Sequence, residues 1–142
     1  ELLTQPPRAD VRQLHGPEGL ETAIGVMQRV YGGSFDWMRG RMGQHLTIPG
    51  YLSLWAAFVD QTPASAGWIY FYPDSAFAGI WGGSTVTEQR GKGLYQALLA
   101  ARTREAIARG RRYLFISASD MSRPIVERLG FKLLTMEYCW TL

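Results

Sequence analysis

A short stretch of the sequence, EQRGKGLY at residues 88–95, carries residue types that often bind phosphate groups. Two glycines flank Lys92, an arginine precedes them, and a helical pattern follows at once. Glycines at a helix start let the first backbone N–H groups converge on an anion, and the helix dipole favours negative charge there. Arg90 or Lys92 could add a charge-assisted hydrogen bond. The stretch therefore predicts an anion-binding turn.

Two familiar phosphate-binding patterns do not fit this stretch. The P-loop requires G-x-x-x-x-G-K-[ST], but Val86 stands at its first glycine position and Gly93 follows the lysine. The dinucleotide pattern G-x-G-x-x-G fails because Gln96 replaces its third glycine and because a run of strands precedes it. A third pattern, R-x-x-G-x-[GA] at a strand-to-helix turn, fits and departs only at its last position, Tyr95.

Together with a second motif, this glycine pattern resembles the GNAT superfamily of acetyl-CoA-dependent N-acyltransferases. The likeness is strongest from about Ala78 to Phe131, where TVTEQRGKGLYQALL and YLFIS are followed by SRPIVERLGF, a short helix ending in L-G-F. The resemblance implies direct transfer of an acetyl group, in a ternary complex, from acetyl-CoA as cosubstrate to a primary amine of a small molecule or peptide. It implies no metal, and it places the pyrophosphate of CoA on the backbone N–H groups of Gly91 to Tyr95.

The resemblance also assigns the strand before the glycine turn. In the family this strand separates from its parallel neighbour, and pantetheine pairs with the exposed edge, which corresponds here to the run GGSTV. Glycine in a strand often marks the close approach of a ligand, although a bulge without a ligand is the alternative. The expected cofactor-binding residues are Gly83, Ser84, Thr85, Val86, Arg90, Gly91, Lys92, Gly93, Leu94, Tyr95 and Ser119.

Two positions depart from the family pattern. Tyr95 stands where glycine or alanine is usual, so its ring must lie aside from the cofactor or pack beneath it. Val126 stands where many members carry a tyrosine taken to protonate the leaving thiolate, and valine cannot donate a proton. Ser119, where asparagine is frequent, and Ser122 remain as candidate thiolate partners, although helix capping is the commoner role for serine there.

The transfer also needs a base, because only a neutral amine can attack the thioester. Each of the four candidates is more often a surface or capping residue, and Glu88 is the first choice. The oxyanion donor is expected to be a backbone N–H on the exposed strand. The four candidate bases are Glu88, Asp60, Asp36 and His45.

Five aromatic residues lie on the strands that precede the glycine turn. Burial in an aromatic core accounts for most of them, but one or two could line a pocket for the acceptor amine. They are Trp55, Trp68, Tyr70, Tyr72 and Trp81.

The pattern of apolar residues predicts the order β-α-α-β-β-β-α-β-α-β, an α+β (mixed α/β) sandwich with helices on both faces of a mostly antiparallel sheet. Turns at QTPAS and PDS join three antiparallel strands. The long helix begins near Gly91 and is closed by Gly110, and the two strands that flank it are parallel and, by resemblance, splayed. RYLFIS predicts a strand covered on both faces, and FKLLTMEYCW a final strand.

Length and composition fit one domain, with 142 residues of which 46% are hydrophobic. Residues 1–8 are expected to be a lead or linker, and residues 9–142 a single domain that could belong to a longer chain. Cys139 is the only cysteine, so neither an internal disulfide nor a multi-cysteine metal site can form. No apolar run approaches the ~20 residues of a membrane span, and a cytoplasmic location is expected.

A single strand after the last helix is fewer than the two that the family generally has. The sheet edge would stay open, and a second subunit of a homodimer or a tandem domain could complete it. The main alternative to an enzyme is therefore a catalytically weak or inactive CoA-binding module of a tandem or oligomeric protein.

A cluster of five arginines near the end of the long helix has three interpretations. It could favour nucleic acid, a phosphorylated ligand, or a solvated helix end, and the last is preferred because positive charge suits a helix C-terminus. A nucleic-acid-binding domain is disfavoured, because no recognised binding motif accompanies the cluster and the net charge is only +3. The five are Arg102, Arg104, Arg109, Arg111 and Arg112.

Overall fold

The computed structural model describes residues 3–138 and 140, which form one five-stranded sheet with four α-helices. The strands are β1 (Asp10–Leu14), β2 (Leu52–Val59), β3 (Thr62–Phe71), β4 (Phe77–Thr85) and β5 (Tyr113–Ile116). The helices are α1 (Gly16–Tyr31), α2 (Asp36–Leu46), α3 (Leu94–Ala108) and α4 (Arg123–Arg128), with a 3-10 turn at Thr87–Gln89.

The strands are hydrogen-bonded in sequence order, from β1 at one edge to β5 at the other. Neighbours are antiparallel except for β4 and β5, which run parallel from Phe77 beside Tyr113 to Ile80 beside Ile116. The predicted α+β sandwich with one parallel pair is therefore confirmed. Beyond Ile80, β4 continues to Thr85 without further pairing to β5, so this part of its edge is open.

The sheet lies between two layers of helices. On one face, α1 and α2 pack around Leu54 and Trp68; on the other, α3 and α4 pack around Ile69 and Ile80. Successive side chains of a strand point to opposite faces, so Trp68 and Ile69 of β3 serve different layers. No helix within the described ranges is both long enough and apolar enough to cross a membrane.

The long helix α3 begins and ends at glycines in the left-handed conformation. Gly110, with φ of +72°, donates its N–H to the Ile107 carbonyl, and Arg111 donates to the Ala106 carbonyl. These two bonds form a Schellman motif, which confirms the predicted closure at Gly110. The helix starts at Leu94, three residues later than predicted, because both preceding glycines have positive φ and cannot belong to a right-handed helix.

The predicted turn QTPAS is wrong in extent. Only Asp60 and Gln61 form the hairpin turn, and β3 already begins at Thr62. Both turn residues have positive φ, 47° and 63°, as a two-residue turn requires if it is to match the twist of its strands. The proline and serine that indicated a loop lie inside the strand, where Ser65 is fully buried.

Two predictions at the far edge of the sheet are also wrong. The strand β5 is not covered on both faces, since Tyr113 and Phe115 are exposed. Residues 131–138 form no strand, and Leu134 is 89% exposed; the predicted strand also included Cys139, which lies outside the described residues. The apolar composition of a segment indicates that it can be buried. A strand forms only where a neighbouring strand also offers backbone groups for hydrogen bonding.

The N-terminal lead is partly packed on the domain. Leu3 is buried, and it lies in the same cluster as Ile69 and Phe71 on the α3 side of the sheet. Residues 5–9 are mostly exposed and precede β1, which is an edge strand as predicted. Whether residues 1–8 act as a linker stays a prediction.

A nearly buried carboxylate on α3 ties this helix to β2. Glu105, whose side chain is 12% exposed, accepts hydrogen bonds from the Ser53 hydroxyl at 2.7 Å and the Trp55 indole N–H at 2.8 Å. It also accepts a bond at 2.6 Å from Arg109, whose guanidinium lies 4.1 Å from the centre of the Phe71 ring. The network fixes α3 on the sheet and thereby positions the glycine turn at its N-terminus.

We expect Glu105→Ala to lower the free energy of unfolding by about 2–3 kcal/mol, because the two part-buried donors of β2 and the Arg109 guanidinium lose their common acceptor. Urea denaturation measures the change. The control is Glu127→Ala, which removes an exposed helical pair with Arg123 and should cost less than about 1 kcal/mol. Equal costs for the two variants would contradict the role given to the network.

Candidate active site

The glycine turn between β4 and α3 presents an open surface at a helix N-terminus. Gly91 and Gly93 both have φ of +76°, where glycine is strongly favoured. A Cβ on either residue would meet no atom within 4 Å, so the space beside them is free. Gly93 is the N-cap residue of α3, and no described side chain caps the helix. The first N–H groups of α3 are therefore left for an acceptor from outside.

Two basic side chains flank this turn without a carboxylate partner among the described residues. Arg90 donates its Nε–H to the Thr85 carbonyl at 3.1 Å, and Lys92 donates to Oε1 of Gln89 at 2.7 Å. Their acceptors are neutral, so their charges are not cancelled within these contacts. The turn thus combines unpaired N–H groups with positive charge, as an anion site requires.

The open part of the β4 edge is not uniformly available to a ligand. Val86 is buried, its N–H donates to the Ala64 carbonyl, and its carbonyl accepts from the Gln89 N–H. The hydroxyl groups of Ser84 and Tyr31 are hydrogen-bonded at 2.9 Å. Ser84 precedes Val86 in the chain, so the bonds of Val86 do not involve its backbone. The carbonyls of Ser84 and Thr85 also accept bonds within the chain, from the Ser65 hydroxyl at 3.0 Å and from Arg90 Nε at 3.1 Å, although a carbonyl with two lone pairs can accept a second bond.

The ring of Tyr95, which departs from the family pattern, packs against the backbone of β4. A Cβ on Gly83 would lie only 2.6 Å from Cε2 of this ring, so glycine is required there. The ring is partly buried against the α3-side core, and this burial raises the pKa of the phenol. The ring therefore packs on the backbone of the protein itself, and its place relative to a bound cofactor stays a prediction.

A fully buried arginine of α3 lies beside the same strand. Arg102 donates to the carbonyls of Trp81 at 2.9 Å, Trp68 at 3.2 Å and Leu98 at 3.2 Å, while its Nη2 has no partner among the described residues. Burial lowers its pKa to about 10, so the guanidinium remains charged at neutral pH. A Cβ on Gly67 would lie 2.7 Å from its Nη1, so this glycine makes room for it.

The other glycines of β4 are covered by aromatic rings. A Cβ on Gly82 would lie 2.7 Å from the Trp68 ring, and one on Gly79 would lie within 2.9 Å of Phe115 and Trp81. A register shift in the β3–β4 pairing adds a bulge at this point. Contacts within the protein therefore account for Gly79, Gly82 and Gly83, and the close approach of a ligand to this strand stays a prediction.

The contacts of Glu88 do not favour it as the base. It lies on the 3-10 turn, where its Oε1 accepts from Arg29 at 2.8 Å. A backbone hydrogen bond and then the Arg29 guanidinium hold the pKa of Glu88 below its usual range. A carboxylate with a lowered pKa is a weaker base. Of the other acidic candidates, Asp60 lies in the β2–β3 turn and Asp36 pairs with Arg39 at 2.5 Å.

The two serines expected near the thiolate lie together before α4. The hydroxyls of Ser119 and Ser122 are 3.2 Å apart, and Ser119 Oγ accepts weakly from the Ser122 N–H at 3.4 Å. Ser122 is the N-cap residue, but its hydroxyl makes no capping bond. Val126 is buried in the core beside α3, so this position supplies packing.

A cavity of about 290 Å³ opens between α2, β3 and β4. Four of its nine lining residues come from α2, namely Trp37, Arg41, Met42 and His45. Trp37 and the five lining residues outside α2 are aromatic. His45 Nδ1 lies 2.8 Å from the Tyr70 hydroxyl, and burial raises the pKa of Tyr70 to about 12. The six aromatic residues are Trp37, Tyr51, Trp68, Tyr70, Tyr72 and Trp81.

The cavity contains several residues that the sequence had suggested and some that it had not. Trp55 is not among the lining residues and instead bonds Glu105 on the other face of the sheet. Trp37 and Arg41 were missed, although their i, i+4 spacing, continued by His45, marks one face of a helix. Trp81 is the first residue of β4 beyond its pairing with β5, so the cavity adjoins the open edge.

Comparisons with known proteins identify the fold. Neither the protein-family models nor the curated proteins include a match to this sequence. Among solved structures, the aminoglycoside acetyltransferase AAC(6')-Iy, in complex with the bisubstrate analogue CoA-S-monomethyl-acetylneamine, is 19% identical with a TM-score of 0.76. The match covers 95% of this chain and 98% of that one.

Two further structures agree. A protein described as an acetyltransferase, from Clostridium acetobutylicum with acetyl-CoA, is 16% identical with a TM-score of 0.74, over 93% of this chain and 95% of that one. One assigned to the GNAT family of acetyltransferases, from Desulfovibrio desulfuricans, is 20% identical with a TM-score of 0.74, over 89% and 87%. The expected GNAT fold is confirmed. Within residues 3–138 and 140, no group of three His, Cys, Asp or Glu is placed to hold a metal ion.

The contact between Gly83 and Tyr95 can be tested by a double-mutant cycle. We expect Gly83→Ala to destabilise the protein by about 1–3 kcal/mol, and to cost less when Tyr95→Ala has removed the ring. Urea denaturation of the four proteins gives the coupling. Gly110→Ala, at a left-handed glycine with open surroundings, should be additive with Tyr95→Ala. If the effects of Gly83→Ala and Tyr95→Ala were also additive, the Tyr95 ring would not be the reason that glycine is required at residue 83.

Proposed function

We propose that this chain is an N-acetyltransferase that transfers the acetyl group of acetyl-CoA, as cosubstrate, to a primary amine of a small molecule or peptide in a ternary complex. One observation carries the proposal. An uncapped helix N-terminus with two left-handed glycines and two basic side chains lies next to the open edge of β4. Solved structures with the same fold hold CoA or acetyl-CoA.

In this proposal the cofactor follows β4 to the start of α3. The backbone of Gly83, Ser84 and Thr85 pairs with pantetheine, and Val86 contributes shape because its own N–H is already bonded. The N–H groups from Gly91 through Leu94 to Tyr95 bind the pyrophosphate. Arg90 and Lys92 add charge, and Ser119 lies on the thiol side.

The reaction forms a C–N bond and breaks a C–S bond. The neutral amine attacks the thioester carbonyl, the oxyanion is stabilised by a backbone N–H of β4, and CoA leaves as a thiolate that takes up a proton. Among the four candidate bases, His45 is the one that lines the cavity, and imidazole is the commonest general base in enzymes. Ser119 and Ser122 remain the candidate proton donors to the thiolate.

A second function is supported by one observation. Val126 is buried where the family pattern expects a tyrosine, so the usual thiolate acid is missing. A CoA-binding module with little or no turnover would have the same glycine turn. The two functions differ in turnover and agree in binding acetyl-CoA.

We expect acetyl-CoA at 100 times its Kd to stabilise the protein by about 2.7 kcal/mol, because only the folded state binds it. Gly91→Val should weaken acetyl-CoA binding at least tenfold by obstructing the pyrophosphate site. Calorimetric titration measures the affinity for acetyl-CoA of the unmodified protein and of Gly91→Val. Absence of any binding would contradict the acetyltransferase and the binding module together.

The matched control is Gly110→Val at the other end of α3. Gly91 and Gly110 have φ of +76° and +72° and open surroundings, so valine imposes similar strain, about 1–2 kcal/mol, at both. The two variants should lose similar stability, and only Gly91→Val should lose affinity. Release of the CoA thiol in the presence of a panel of amines then distinguishes the enzyme from the binding module. Tight binding of acetyl-CoA without release of the thiol would favour the module.

The open edge at β5 supports a further proposal about assembly. Tyr113 and Phe115 are exposed, as are Leu133, Leu134, Met136 and Tyr138 in the segment that follows α4. We propose that a second copy in a homodimer, or a tandem domain, completes this edge. Light scattering of the isolated chain should give the mass of two chains. A single-chain mass up to tens of micromolar would contradict the homodimer and leave the tandem domain.

A further inference from the structure

The cavity between α2, β3 and β4 has the chemistry of a site for a compact apolar molecule. This inference rests on the proposed acetyl transfer, for which the cavity is the acceptor site. Six of its nine lining residues are aromatic, and none is Asp or Glu. Its volume of about 290 Å³ equals the bulk volume of about ten water molecules, so it holds one ring with short substituents.

The walls of the cavity are formed before a ligand arrives. Tyr51, Tyr70 and His45 meet edge to face at 5.2–5.5 Å between ring centres, and Tyr72 stacks on Tyr70 at 6.4 Å. Such contacts fix ring orientations, since aromatic pairs favour these geometries. Burial raises the pKa of Tyr70 to about 12, even further above neutral pH than that of a free tyrosine, so the phenol adds no negative charge.

Two tryptophans at the cavity leave large apolar surfaces in solvent. Trp37 is 56% exposed and Trp81 is 41% exposed, although both line the cavity. Exposed aromatic surface around a concave site is typical of ligand binding. The faces of these rings can also attract a single ammonium group before it loses its proton.

The charge of the cavity disfavours a polycation. Arg41 is the lining residue that always carries a full charge, and it forms no ion pair among the described residues. Asp36, the acidic residue of α2, and Glu21 of α1 are both bound to Arg39. Several ammonium groups would enter the cavity without a carboxylate to receive them, which is costly.

We propose that the acceptor is a compact amine with one aromatic or branched apolar body and a carboxylate that Arg41 binds, as in an aromatic amino acid. The rings enclose the body, and the guanidinium fixes the carboxylate by charge-assisted hydrogen bonds. The amine then points towards Trp81 and the open edge of β4. An acceptor with many ammonium groups is disfavoured, because the lining carries a positive charge and no carboxylate.

Three probes separate the contributions of the body, the carboxylate and the charge. L-Phenylalanine has all the required groups, phenethylamine lacks the carboxylate, and neamine is a polycation. We expect kcat/KM for acetylation to be at least tenfold higher for phenylalanine than for phenethylamine, and lowest for neamine. Neamine as the best of the three substrates would overturn the proposal.

The matched variants are Arg41→Gln and Arg104→Gln. Arg104 is exposed on α3, outside the cavity, and forms no ion pair among the described residues. Arg41→Gln should lower kcat/KM for phenylalanine at least tenfold and leave phenethylamine unchanged, whereas Arg104→Gln should change neither. An equal loss on both amines with Arg41→Gln would contradict carboxylate recognition.

Binding of L-phenylalanine without acetyl-CoA distinguishes this inference from the proposed function. Calorimetric binding that Arg41→Gln weakens, in a protein that does not bind acetyl-CoA, would support the cavity and reject the acetyltransferase. Thiol release with other amines, together with no binding of phenylalanine, would reject the acceptor class and leave the acetyltransferase intact.

Discussion

A single buried guanidinium connects the two parts of the candidate site. Arg102 binds the backbone carbonyls of Trp68 and Trp81, whose side chains line the aromatic cavity. The same guanidinium lies beside Gly83, against which Tyr95 of the glycine turn packs. A charge buried this completely is tolerated only where carbonyl groups receive it, so its position sets the spacing between α3, β3 and β4.

This constraint explains why the middle of the sheet is so rich in glycine. Gly67 makes room for the guanidinium, Gly83 for the Tyr95 ring and Gly82 for the Trp68 ring. The pairing of β4 with β5 stops at Ile80 and Ile116, where β5 ends, so the last residues of β4 are unpaired on that side. The strand that makes room for these internal side chains is thus also the strand with an open edge.

The arginine cluster shows how a charge pattern can mislead. Arg102 is buried, Arg109 binds Glu105, Arg111 donates to the Ser75 carbonyl, and Arg112 lies over the Tyr113 ring. Most of these side chains serve contacts within the chain, and only part of the cluster matches a solvated helix end. Sequence spacing reports charge along the chain, whereas burial and pairing depend on neighbours that are distant in sequence.

The sequence by itself determined the features that local physics controls. Helical and strand periodicity located nearly every element, and the positive φ at Gly91, Gly93 and Gly110 follows from turn and cap geometry within a few residues. The glycine turn is therefore recognisable from a few consecutive residues, without knowledge of what packs around it. The crossover through the long helix also predicted the one parallel pair of the mixed sheet.

Only the tertiary structure decided which side chains share a space. It placed His45 and Arg41 in the aromatic cavity, paired Glu88 with Arg29, and left segment 131–138 without a strand. Each outcome depends on segments far apart in the chain, whose packing a single sequence does not record. The physical reason is that backbone conformation is governed by neighbouring residues, whereas burial, pairing and cavity shape are governed by the whole fold.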